Sequence, residues 1–161
     1  MDLLQSPFCV ESNGVASAIS YQRQILKSDE PPLRIYINRF QDEFTSDVLT
    51  IYKKPNSSPC SNLRVNFENE RRVGDGPVRE FFSLLMGMVQ SGFPLGDSQP
   101  TLVFEGQEGH KVPVPNALLC SSGFFTSVGR MIAYSFPHGG PQYMVYLLQW
   151  LTIAVLMVLI Q

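Results

Sequence analysis

Three cysteines, two histidines and the adjacent Arg79 and Glu80 are the side chains of this sequence whose types and neighbours invite a chemical reading. Cys9, Cys60 and Cys120 are odd in number, far apart and outside any Cys-x-x-Cys pair. They form neither a disulfide framework nor a zinc site, and a reducing compartment suits them better. Cys60 lies in a loop from Pro55 to Asn62, with no neighbour placed to activate a thiol. Cys120, beside Leu118 and Leu119, reads as a small packed side chain. His110 shares one turn with Glu105 and Glu108, without helical spacing or a fourth ligand, so a solvated turn is the better reading than a metal centre. Arg79 and Glu80 read as a solvated pair at the edge of a core. No Ser-His-Asp set, nucleophile elbow, phosphate-binding Walker loop or paired-carboxylate motif appears. The sequence therefore assigns no catalytic residue, no cofactor-binding residue and no metal ligand, and calls for no cofactor.

The elements that would position such residues are clearest between Leu63 and Gln90. Leu63, Val65 and Phe67 alternate with Arg64 and Asn66, the period of a strand with one dry face. Gly74 and Gly76 bracket Asp75 in a turn, and Pro77 fits the first position of a helix, so a helix is expected to start there. Val78, Phe81, Phe82, Leu84, Leu85, Met86, Met88 and Val89 fall on one broad apolar face of that helix, which Gly92 and Pro94 stop. Upstream, Leu33, Ile35 and Ile37 alternate as a strand, and Phe40, Phe44, Val48 and Tyr52 recur as a helix ending at Lys53 and Lys54. Downstream, Thr101 to Phe104 and Lys111 to Val114 suggest a hairpin with edge character. Ser121 and Ser122 are placed to cap a last helix bearing Phe124, Phe125, Val128, Met131, Ile132 and Phe136, which Pro137 to Pro141 ends.

These patterns bear a resemblance. Leu63-x-Val65-x-Phe67, then Glu68, a glycine turn and Gly76-Pro77-x-Arg79-Glu80-Phe81-Phe82 resemble the N-terminal lobe of HECT-type ubiquitin ligases. Leu33 to Arg39 is similar to the opening strand of that family with its trailing arginine, and Gly123 to Ala133 to its phenylalanine and Gly-Arg-apolar helix. The resemblance covers about Leu33 to Pro141. It implies an α+β fold, a partial N-terminal lobe of amphipathic helices with a few short strands. It also implies the ubiquitin-protein transferase class, in which a cysteine of a separate C-terminal lobe takes ubiquitin from a conjugating enzyme and passes it to a lysine. In the family that cysteine follows a threonine in a short loop late in the domain, a context that Cys9, Cys60 and Cys120 lack. The surface that docks the conjugating enzyme also falls beyond Pro141. The expectation is a truncated ligase chain without the catalytic lobe, inactive alone; the alternative is a non-catalytic interaction module, tail-anchored in a membrane.

Composition agrees with one ordinary domain: 161 residues, 44% apolar and 16% charged. A formal net charge of −2 leaves no electrostatic footprint for nucleic acid or an anionic membrane surface. The first ten residues have neither the basic start nor the long apolar run of a signal peptide. Three regions are expected: a weakly structured segment and linker over 1–32, the partial lobe over 33–141, and an apolar tail over 142–161. Tyr143 to Ile160 would reach roughly 27 Å as a helix, enough for a thin bilayer. However, Gln149 and Trp150 fall at its middle and no Lys or Arg flanks it, which favours an alternatively ended product over an anchor. A cytoplasmic or nuclear location follows from that preference, with a membrane as the alternative.

Overall fold

The structure, a computed structural model, describes residues 31–53, 61–70, 74–96, 99–107, 110–135 and 137–141, together with Leu26. Cys9, Cys60, Glu108, Phe136, the apolar segment Tyr143 to Ile160 and almost all of residues 1–32 lie outside the described residues. Strand β1 (Leu33–Ile37) leads into helix α1 (Gln41–Lys53), which returns the chain to strand β2 (Leu63–Phe67). The two strands pair in parallel, Leu33 opposite Leu63 through Ile37 opposite Phe67. Parallel neighbours need a crossover connection, and α1 is part of it. Helix α2 (Asp75–Ser91) packs on β2, and helix α4 (Phe124–Ser135) lies against both α1 and α2. Between them come an antiparallel hairpin, β3 (Phe104–Gln107) and β4 (His110–Pro113), and a short helix α3 (Ala117–Ser121). The arrangement is mixed α+β.

The core follows the predicted periodicities. Ile35, Ile37, Val65 and Phe67 line the inner face of the sheet, Phe44, Val48 and Tyr52 that of α1, and Phe81, Phe82 and Leu85 that of α2. Phe81 is the junction of an aromatic chain: its ring meets Phe44 at 5.9 Å and Phe82 at 5.1 Å, both edge to face. Such geometry adds to the burial of area that drives the packing.

Several expectations are corrected. Helix α2 starts at Asp75, two residues before Pro77, because Gly74 (φ 113°) makes the turn by itself. Pro77 still fits, since none of the first N–H groups has a partner inside the helix. Leu84 is 38% exposed instead of facing the core, and Phe40 is 74% exposed and precedes α1, where its carbonyl accepts the Phe44 N–H at 2.8 Å. The first hairpin strand is displaced: Thr101 bridges Phe93, while Phe104 to Gln107, all but Phe104 expected as turn, pairs with β4. Gly92 (φ 103°) permits that bridge, because a Cβ there would stand 2.9 Å from the Pro100 Cβ. Ser121 and Ser122 end α3 instead of capping α4. Asn116 caps α3, its Oδ1 accepting from the N–H groups of Leu118 and Leu119 at 2.9 and 3.2 Å.

Candidate functional site

The densest polar arrangement lies where β1 and β2 end and α2 begins. Beyond β1 the Arg39 guanidinium sits 4.6 Å from the centre of the Phe67 ring. Its Nη2 meets Glu70 Oε1 at 2.5 Å and its Nη1 donates to Glu80 Oε1 at 2.7 Å. The local backbone explains how the two carboxylates converge. After β2, Asn69 takes a left-handed conformation (φ 63°) and the Glu70 N–H bonds back to the Phe67 carbonyl at 3.2 Å, which turns Glu70 toward β1. Glu80 comes from the second turn of α2. Alongside, Asn38 donates to Glu68 Oε2 at 3.2 Å and accepts the Phe40 N–H at 3.1 Å.

This arrangement is a clamp. A guanidinium held by two carboxylates and an aromatic face has its charge met and two of its nitrogens engaged, and no nucleophile among the described residues adjoins it. The sequence reading of Arg79 and Glu80 as a solvated pair is half corrected: Arg79 is exposed, while Glu80 belongs to Arg39, forty-one residues away in the chain. Nothing in local periodicity could reveal a bond of that span.

Two further ties involve side chains that the sequence left without a role. Arg130 on α4 donates from Nη1 to the Tyr52 and Lys53 carbonyls, both at 3.0 Å. Those are among the last carbonyls of α1, which lack helical partners and attract a cation. His138 stacks on Phe82 with ring centres 5.6 Å apart, its Nδ1 lying 2.8 Å from the Tyr134 carbonyl and its Nε2 2.9 Å from that of Ser61. A carbonyl only accepts, so a neutral imidazole donates to one of the two and an imidazolium to both. Either way His138 links the end of α4 to the approach to β2.

The remaining candidates among the described residues offer no assembled chemistry. Cys120 is exposed on α3, a correction to the packed position expected from its apolar neighbours; the five-residue helix buries none of its side chains. Glu105 is exposed on β3, and no three metal-binding side chains come together among the described residues. A shallow groove of about 410 Å³ between α1 (Thr45, Leu49, Lys53) and Pro94–Leu95 is lined without thiol, imidazole or carboxylate. Tyr52 is the buried exception. Its ring is 3% exposed, it meets Tyr134 edge to face at 5.4 Å, and its hydroxyl has no partner among the described residues. Burial, with a smaller contribution from Tyr134, pushes its ionisation well above the ordinary tyrosine range.

Neither a protein-family model nor a curated protein matches this chain. Among the described residues no helix is long and apolar enough to cross a membrane.

Proposed function

We propose that this chain forms the scaffold part of the N-terminal lobe of a HECT-type ubiquitin ligase, a segment that holds its portion of a transferase in shape without carrying the transferred ubiquitin. The reading comes from the sequence resemblance, and one contact lends it most support. Arg39, which trails the opening strand, bonds Glu80 of the Arg-Glu-Phe-Phe motif at 2.7 Å, so charged residues of two resembling motifs serve one another. Arg130, from the third motif, joins the same unit through the end of α1. Ubiquitin and its conjugating enzyme are then partners of the whole ligase.

The test is a graft of residues 33–141 in place of the matching segment of an active HECT ligase. The hybrid is expected to retain ubiquitin transfer. The present chain alone, given ubiquitin-charged conjugating enzyme, is expected to show no reductant-sensitive adduct on non-reducing electrophoresis. A hybrid that folds but transfers nothing sinks the reading. An adduct on the chain alone that disappears in Cys120→Ala would make a transferase of these residues themselves.

The second reading, an interaction module, is favoured by a separate observation: one face of the parallel sheet, with Arg34, Tyr36 and Arg64, is exposed and covered by no described element.

A further inference from the structure

The β1–β2 sheet buries one face and leaves the other uncovered by any described element. The uncovered face carries three rows: Arg34 level with Arg64, Tyr36 level with Asn66, and, just past the strand ends, Asn38 bonded to Glu68. Parallel sheets are ordinarily covered on both faces. Here Tyr36 is 67% exposed and both arginines are exposed. Neighbouring strands run about 4.8 Å apart, so two guanidinium groups rise from adjacent Cα positions. Like charges set opposite each other in a sheet destabilise it. Arg39 meets its two carboxylates nearby, yet among the described residues neither Arg34 nor Arg64 has an ion pair or a side-chain hydrogen bond. The face thus carries an electrostatic cost that nothing described on the chain offsets.

We propose that this face docks an acidic segment of a partner protein, whose carboxylates engage Arg34 and Arg64 while the segment lies along Tyr36 and Asn66. Charge and geometry select that occupant. Paired guanidinium forks match carboxylates in bidentate fashion, and adjacent forks match adjacent acidic residues. A phosphate backbone is a poorer fit. Running along the strands it would meet Glu68 about 13 Å from the arginines, where a long polyanion gains nothing and a short acidic segment has already ended. The proposal does not depend on the ligase reading.

The experiment measures binding of a fluorescein-labelled tetraglutamate peptide to the full chain by fluorescence anisotropy, at low and at physiological salt. Binding is expected that weakens with salt, falls about tenfold when Arg34→Gln and Arg64→Gln are combined, and is unchanged in Arg79→Gln, which removes an exposed arginine elsewhere. Thermal unfolding of the double variant should stay level or rise, because a like-charge contact is removed. No binding, or binding indifferent to the Arg34–Arg64 pair, overturns the proposal. Tighter binding of an oligothymidylate of equal charge through the same pair would reassign the face to nucleic acid. Two acidic residues, Asp29 and Glu30, precede β1 in the sequence; peptide binding that appears only after Asp29→Asn and Glu30→Gln would give the face to them and equally overturn the proposal.

Discussion

At Tyr52 a hydroxyl is held in the core with no hydrogen-bond partner among the described residues, under a ring that is 3% exposed. An unsatisfied buried polar atom costs about 1 to 3 kcal/mol of desolvation. Tyr52→Phe removes the atom and keeps the ring against Tyr134, so denaturant unfolding should show equal or greater stability, by up to about 1 kcal/mol. Loss of more than that amount would mean that the hydroxyl has a partner beyond the described residues. The same group fixes a pH effect. Its ionisation is raised in the folded chain, chiefly by burial, so above the ordinary tyrosine value of about 10 the unfolded chain releases a proton that the folded chain retains. Its contribution is therefore complete below about pH 10 and is lost as pH rises beyond it. Tyr52→Phe should unfold less steeply in alkali than the parent chain, a difference that titration followed by circular dichroism would register.

Among the elements, the join of β1, β2 and α2 is tied by one charged side chain over its apolar packing. Isolated exposed ion pairs contribute little, but Arg39 meets two carboxylates and an aromatic face at once while only 41% exposed. Arg39→Ala is expected to cost about 1 to 2 kcal/mol, and a double-mutant cycle with Glu80→Gln to give a coupling of about 0.5 to 1 kcal/mol. Arg39→Lys should recover little, since an ammonium cannot fork between Glu70 and Glu80. Additive single effects would show the contact to be incidental. Local pattern revealed the elements that meet here but not the bond between them. Leu63, Val65 and Phe67 alternate because one face of β2 is dry, and the stripe on α2 is wide because that helix is sunk in the core. A hairpin is expected from the sequence, but its first strand has no such signal to place it. Glu105, Gly106 and Gln107 are all exposed, so burial imposes no period on β3 and pairing with β4 decides its place. Helix α3 likewise buries no side chain, so no apolar stripe announces it, and it owes its start to the Asn116 cap. The charged ties at Arg39 and Arg130 span 41 and 78 residues, distances at which only folding brings partners together.

For the whole molecule, the contiguity of the core decides how it fails. Phe81 and Phe82 are both fully buried. The first reaches α1 through Phe44, and the second meets His138 in the turn after α4. Helix α2 also packs on β2 and on α4, so the crossover unit and α4 share one set of apolar contacts. Truncating a buried phenylalanine typically costs about 3 to 5 kcal/mol, against a total of about 5 to 15 for a domain of this kind. Phe81→Ala should therefore lower the denaturation midpoint sharply or leave the chain insoluble, and should do so for every element together. The informative measurement follows two probes through one transition: far-ultraviolet circular dichroism for the helices, and the fluorescence of a probe attached to Cys120, exposed on α3. Coincident midpoints that move together in Phe81→Ala are the expected result. A Cys120 signal that stays put while the helical signal falls would show that α3 is not coupled to the core around Phe81. An unchanged helical midpoint would mean that α2 does not present Phe81 to the core at all.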